Sequence, residues 1–274
     1  MKISVVTASY NYQDYIQEAI QSVLNQTYQD WEMIIVDDCS TDNSVDVIKS
    51  FKDDRIKLFV NEKNLGLKET VKRGIEKATG DWIVFLESDD ILTPDNIEKK
   101  VTIAKKHPEV NLIFNDCEFF GDNYTVHNFS IALRKTRILL RKKVYPQNMF
   151  YNFYLSNKIF TFSAVMAQKK DLLKITFNPP IDSLLDWWLW VQMAYLGKFY
   201  YISEPLTKWR LHTDSYIYKS NHNSPIQLQM KIYFEMFKRY KNYLILIFIP
   251  WAQLIWYLQQ IKKNAKKLIF DKRK

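Results

Sequence analysis

Glycine is scarce in this chain, with five among 274 residues, and that excludes long flexible linkers. Cysteine is scarcer still. Cys39 and Cys117 are too few for a disulfide framework and stand at no metal-ligand spacing, so they fit a reducing compartment. The N-terminus enters a strand pattern at Ile3 without a basic segment or a cleavable apolar run, and no export signal is expected there. Most of the chain also lacks net charge. The whole formal +9 falls from Gln229 onward, leaving 28 Lys/Arg against 28 Asp/Glu before it. A neutral body with no basic face and no binding motif makes nucleic acid an unexpected partner. What is present is apolar: 47% hydrophobic and 15% aromatic residues, enough for a full core in one large domain with an appendage.

The most informative stretch runs from Gly80 to Pro94. Trp82 to Leu86 is an apolar run of five and reads as a buried strand. Glu87, Asp89 and Asp90 follow at once, and Thr93-Pro94 opens the next helix. Carboxylates crowded at a strand's end repel each other, and oxygen-only ligands suit a hard divalent ion, Mg²⁺ or Mn²⁺, able to hold a diphosphate. The competing reading is a solvated turn in which Asp90 or Thr93 caps a helix.

Around it, β-branched runs at Lys2 to Thr7, Trp31 to Val36 and Ile56 to Val60 alternate with helical periodicities at 16–24, 44–51 and 67–78. A helix over 96–106 follows, then strands over 110–117, 161–167 and 199–202. This alternation predicts an α/β fold with a mostly parallel sheet covered on both faces, whose ligands sit beyond the strands' carboxyl ends. Three polar clusters fall at that edge: Ala8 to Asn11, Asp37-Asp38, and Glu87 to Asp90. Asp116 is either a further site acid or a turn residue. The basic segment Arg134 to Lys143, with an apolar centre, faces an anionic acceptor or lipid, or is a solvated helix. Asp186 heads an aromatic segment apolar nearly all round, where a carboxylate is an N-cap or a positioned base. Trp187 and Trp188 read as core rather than as a sugar platform.

The segments 5–11 (VVTASYN), 35–42 (IVDDCSTD), 64–66 (NLG) and 85–90 (FLESDD) resemble the family 2 glycosyltransferases of GT-A fold, in order and with familiar spacing. Asp186-Trp187 and the segment 209–215 (WRLHTDS) resemble later motifs of that family. The resemblance implies that Ala8, Ser9 and Tyr10 line the nucleotide base and that Asp38 bonds the uracil edge. It implies that Asp89 and Asp90 hold ribose and a metal-bound diphosphate. Arg210 would serve the diphosphate, His212 would be a third metal ligand, and Asp186 the catalytic base. Two departures stand out. Glu87 replaces the first acid of the usual Asp-x-Asp triplet, leaving its metal role open. Val71-Lys72 replaces a common Arg-Asn pair, so that Lys68, Lys72 or Arg73 either supplies the missing charge or is a solvated helix residue.

The expected activity is inverting, Mn²⁺- or Mg²⁺-dependent transfer of a sugar from a nucleotide diphosphate, expected to be UDP, to a hydroxyl of a glycan or lipid-linked acceptor. Such transfer serves cell-surface polysaccharide or glycoconjugate assembly. One rival, a nucleotidyltransferase, needs a glycine- and basic-rich loop after the first strand, which this chain lacks. The other is a degenerate, non-catalytic, membrane-bound nucleotide-sugar or glycan binding protein. The domain is expected over 1–224, its nucleotide half ending near 117 and its acceptor half near 224. Residues 225–274 form a helical basic and aromatic appendage whose uncharged run, 242–261, is interrupted by Pro250 and flanked by lysines on both sides. That symmetry predicts a segment lying on the cytoplasmic face of an anionic membrane rather than crossing it; the alternative is docking on the body or on a second subunit.

Overall fold

The computed structural model describes residues 1–180, 184–212 and 233–239, and of residues 123–125 and 128–132 the backbone only. Strands β1 (Ile3–Ser9), β2 (Trp31–Asp37), β3 (Ile56–Val60) and β4 (Trp82–Phe85) alternate with helices α1 (Ile16–Leu24), α2 (Ser44–Ser50) and α3 (Leu67–Lys77). The short β5 (Ile91–Leu92) and α4 (Asn96–Lys106) lead into β6 (Val110–Gly121) and α5 (Asn123–Arg141). After α6 (Phe150–Leu155) come β7 (Val165–Gln168), α7 (Lys169–Leu172), α8 (Leu185–Leu196) and β8 (Lys198–Leu211).

All eight strands join one sheet in the order β3-β2-β1-β4-β7-β6-β8-β5. The first four run parallel, as the alternation predicts, and β6 and β8 are parallel to each other. β7 lies antiparallel between β4 and β6, and β5 antiparallel on β8. The sheet therefore runs unbroken through what the sequence divides into a nucleotide half and an acceptor half.

Alternation of side chains sends Ile3 and Val5 to one face and Val6 to the other, and both faces are covered. On the first, α1 and α4 bury Ile16, Ile20, Ile97 and Val101. On the second, α3 packs over β1 and β2 and α6 packs on α8, whose Trp190 is wholly buried with Phe85 and Phe162 edge-on to it. The all-round apolarity of α8 is thus explained by burial. Trp187 and Trp188 are core, their indole N–H groups donating to the carbonyls of Phe153 and Thr176.

Several elements differ from expectation. The segment 161–167 is a strand only from Val165; Phe162–Ala164 form a tight 3₁₀ turn because the Thr161 hydroxyl accepts from the Ser163 N–H. β8 is fourteen residues long instead of four, and the weakly patterned region after Glu118 holds the nineteen-residue α5. Asp116 is neither a site acid nor a turn residue. It is buried in an ion pair with Arg137 (2.8 Å) and Arg141 (3.1 Å), which ties α5 to the sheet. Of the appendage, residues 233–239 are helical and dock on the body: Tyr233 stacks on Tyr154 at 4.1 Å and Met236 is fully buried. The apolar run 242–261 and its flanking lysines lie outside the described residues. Among the described residues no helix is long and apolar enough to cross a membrane.

Candidate functional site

The carboxyl ends of β1, β2 and β4 adjoin, and their polar turns are knitted together there. Ser88 donates its hydroxyl to the Ala8 carbonyl (2.6 Å), joining the acidic turn to β1. Asn11, in a left-handed conformation (φ 57°), accepts from the Thr41 N–H at 2.8 Å, while its own N–H donates to Ser40 Oγ at 2.9 Å. Asp37 accepts from both the N–H and the hydroxyl of Ser40. Ser9 is buried beside this seam and Tyr10 stands exposed above it. Ala8, Ser9 and Tyr10 thus fall together at the edge where the sequence reading places a nucleotide base.

Asp38 has a task that the sequence did not reveal. Its carboxylate accepts from Asn61 Nδ2 (2.7 Å), Leu65 N (2.8 Å) and Gly66 N (2.8 Å), and Asn61 in turn accepts from Arg73. The group expected on the uracil edge is in this structure the brace of the loop entering α3. Gly66 needs its φ of 83° to aim its N–H at that carboxylate. Arg73 belongs to this brace, whereas Lys72 pairs loosely with Glu76 at 3.9 Å on the solvent face.

The acidic turn divides its three carboxylates among different tasks. Asp90 is fully buried, with one oxygen taking the Arg210 N–H (3.0 Å) and the other the Thr161 hydroxyl (2.9 Å). In this structure it tethers β8 to the acidic turn. Glu87 accepts from that same Thr161 hydroxyl, and its N–H donates to Ser163 Oγ (2.9 Å). One hydroxyl proton therefore faces two carboxylates. Burial first, and then Asp89 and Asp186, push the Glu87 carboxyl up to about 8; burial and the charges of Asp89 and Glu87 raise Asp90 well above the carboxylate range. Tyr12 stands edge-on to His212 at 6.3 Å, and burial, followed by Asp89, Glu87 and Asp90, raises its phenol.

Asp89 points the other way, and its Oδ2 lies 3.0 Å from His212 Nε2. Arg210 holds this pair in register by donating Nε to the Asp89 carbonyl (2.9 Å), while its far nitrogen meets Glu18 at 3.0 Å. Its guanidinium is packed between the rings of Tyr15 and Phe120. Its Nε is engaged by the turn, while Nη2, for all its ion pair with Glu18, is buried without a hydrogen-bond partner, so Arg210 both positions the acidic turn and keeps donor capacity at the site. Gly121 lets β6 approach the end of β8: its φ is 111°, and a Cβ there would stand 2.3 Å from the Leu211 carbonyl.

These residues suit a hard divalent ion. Asp89 and His212 are spaced as neighbouring ligands on an octahedral ion with bonds of about 2.1 Å, and the clustered negative charge needs a cation. Among the described residues no three His, Cys, Asp or Glu side chains close a metal site by themselves.

Asp186 stands one residue inside the start of α8, and Leu184 occupies the cap position with no side-chain capping bond, so Asp186 is not the N-cap. Its Oδ2 accepts from Asn157 Nδ2 at 2.6 Å, and burial raises its carboxyl to about 6. It is close enough to Glu87 for its charge to be felt there. Sequence reasoning missed Asn157, Thr161, Ser163 and Tyr12. Each is an unremarkable polar or aromatic residue whose role exists only through contacts across the fold.

The comparisons agree with this architecture. The family model for glycosyl transferase family 2 matches residues 4–170. A putative teichuronic acid biosynthesis glycosyltransferase, TuaG of Bacillus subtilis, is 31% identical over 78% of this chain and 80% of its own. An Escherichia coli protein named UDP-Glc:alpha-D-GlcNAc-diphosphoundecaprenol beta-1,3-glucosyltransferase, WfgD, is 31% identical over 70% of this chain and 69% of its own. Among solved structures, S. aureus TarS 1–349 in complex with UDP-GlcNAc aligns over 86% of this chain and 67% of its own, with TM-score 0.64 and 20% identity. The mannosyltransferase PcManGT from Pyrobaculum calidifontis, in complex with GDP-Man and Mn2+, aligns over 97% and 80% with TM-score 0.56 and 15% identity. The chain spans only 60% of another TarS 1–349 chain. The expected GT-A architecture is the one observed, and by the match of most of its length the chain belongs to glycosyl transferase family 2.

Proposed function

We propose that this glycosyltransferase moves a sugar from a UDP-sugar to a hydroxyl of a glycan or lipid-linked acceptor, with inversion, and that it needs Mn²⁺ or Mg²⁺. The observation that carries the proposal is the Asp89–His212 pair set beside Glu87 and within electrostatic range of Asp186. The lipid-linked acceptor class is favoured by WfgD, whose name specifies a diphosphoundecaprenol-linked GlcNAc.

In this reading Asp89 and His212 hold the divalent ion, which when bound neutralises the charge gathering on the departing diphosphate. Asp186 accepts the proton of the acceptor hydroxyl as that oxygen bonds to the anomeric carbon and the bond from that carbon to the diphosphate oxygen breaks. Its raised pKa of about 6 suits this role: the carboxylate is ionised at neutral pH yet more basic than an exposed one. Asn157 fixes which oxygen faces the acceptor. Thr161 and Arg210 position the acids, and Ser9 with Tyr10 borders the base. The appendage, by its charge, would hold the protein peripherally to the cytoplasmic side of an anionic membrane.

The test is calorimetric titration of the full-length protein with UDP in the presence and absence of Mn²⁺, followed by hydrolysis of a panel of nucleotide sugars. Affinity should require Mn²⁺, and Asp89→Asn should lose that requirement together with at least about tenfold in affinity. Metal-independent UDP binding, equal in the variant, would refute it.

A further inference from the structure

The neutral body hides a local imbalance. Between residues 123 and 170 there are nine Lys/Arg and no Asp/Glu. The fold uses two of them, Arg137 and Arg141, to neutralise buried Asp116, and buries Leu140 on the same inner side of α5. The outer side is built differently. Arg134, Lys135 and Lys142 are exposed there, and between them Ile138 and Leu139 are 45% and 57% exposed. At 100° per residue these five span about 140° of the helix, a single stripe of alternating cations and aliphatic side chains. Just past the helix end Val144 is 86% exposed. At its foot Arg141, Lys143, Tyr145, Tyr201 and Ser203 line an open cleft of about 340 Å³.

Cations closing a helix C-terminus have an ordinary explanation in the helix dipole. Three large aliphatic residues exposed within seven positions do not, since solvated helix faces keep such residues inward. We propose that this stripe and cleft are a docking site for a bilayer bearing anionic headgroups. Leu139 and Val144 enter the acyl boundary, the cations sit at headgroup level, and a lipid phosphate occupies the cleft beside Arg141 and Lys143. The chain's own appendage is a poor occupant, because it carries the same sign of charge as the stripe. A helix lying flat on the surface also sets the catalytic edge at membrane level. The residue just before α5, Asp122, donates its N–H to the Leu211 carbonyl (2.9 Å), next to His212. Docking itself stands apart from the catalytic reading; only this consequence for a lipid-linked acceptor rests on it.

Full-length protein is the right sample, because Tyr233 and Met236 of the appendage are buried in the body. Cysteine introduced as V144C, L139C or, as control, K49C on α2 is labelled with an environment-sensitive fluorophore and mixed with vesicles. With phosphatidylglycerol present, emission from positions 144 and 139 should shift to the blue and become quenchable from within the bilayer, and position 49 should stay silent. Neutral phosphatidylcholine vesicles and inorganic phosphate should leave all three unchanged. Lys142→Glu with Lys143→Glu should weaken vesicle partitioning by about tenfold or more. Reversing Lys262, Lys263, Lys266 and Lys267 to Glu should raise the lipid needed yet keep the shift at 144. A silent probe at 144 on protein that sediments with vesicles assigns all binding to the appendage and overturns the proposal. So does a shift with phosphate alone, a shift that grows with protein concentration without lipid, or failure to bind anionic vesicles.

Discussion

The Asn157–Asp186 hydrogen bond offers a direct test of the base. Asn157 Nδ2 donates to Asp186 Oδ2 at 2.6 Å, and this stabilises the ionised carboxylate against the burial that raises it. A hydrogen bond to a charged group is worth roughly 1.5–3 kcal/mol. Water entering the space left by Asn157→Ala would restore part of that, leaving a net loss of about 1.4 kcal/mol, or about one pKa unit. The acid limb of the rate should then move from about 6 to about 7, upward because the weakened form is the charged one. At pH 6 the ionised fraction falls from about one half to about one tenth, a roughly fivefold loss, whereas at pH 8 the loss is only about a tenth. The assay is release of UDP at saturating donor and acceptor across pH, with the fold checked by circular dichroism. A loss equal at every pH would mean that Asn157 only positions its neighbour. An unmoved limb would mean that Asp186 is not the group whose ionisation limits the rate.

Two further variants test the same geometry. Asp186→Asn should lower turnover by about 10²-fold or more while donor binding persists. Because burial raises the folded pKa of Asp186 above its unfolded value near 4, its ionisation costs stability progressively from about pH 4 upward, and in full above the folded value of about 6. The Asn variant should therefore melt at the same or a higher temperature at pH 8, with the difference closing toward pH 4; a variant less stable at pH 8 than at pH 4, relative to the parent, would contradict this. Gly121→Ala forces a Cβ against the Leu211 carbonyl at a positive φ, so the end of β8 must shift. Mn²⁺-supported UDP binding should fall by about tenfold or more with little change in the far-ultraviolet circular dichroism; undiminished binding would show that the β6–β8 junction does not set the position of His212.

Legibility in the sequence followed the range of the interactions. The strands β1 to β4 and helices α1 to α4 declare themselves because both their period and their flanking turns are local. α5 does not, because among its described side chains the inward side combines Leu140 with Arg137 and Arg141 on Asp116, a mixed pattern without a clean apolar period. The segment after Thr161 carries strand-forming residues, yet its conformation is set by a hydroxyl shared with acids more than seventy positions away. The acids of the site were visible as residues but not as roles. A carboxylate that binds a ligand and one that braces a loop have the same spelling. The hydrogen bonds show what the sequence cannot: Asp38 and Asp90 accept from the loop before α3 and from β8, while Asp89 meets His212.

That separation explains why a cluster of repelling acids persists at the end of β4. The sheet order brings β8 back to pair with β5, so residues 120 and more positions apart meet there. Asp90 takes the Arg210 N–H, and Arg210 in turn takes the Asp89 carbonyl, so that the acidic turn and the end of β8 are fastened to each other twice. His212 lies two residues beyond that fastening and Asp89 one residue before it, so the tethers bring them within 3.0 Å of each other. The buried acid ties the frame together, and the more exposed one meets His212. A shift of either strand end would separate Asp89 from His212 before it disturbed the core, since the tethers lie at the sheet's edge and the apolar clusters lie between its faces. The geometry of the site is therefore set at the β5–β8 junction, at the opposite end of the sheet's strand order from the polar turns after β1 and β2.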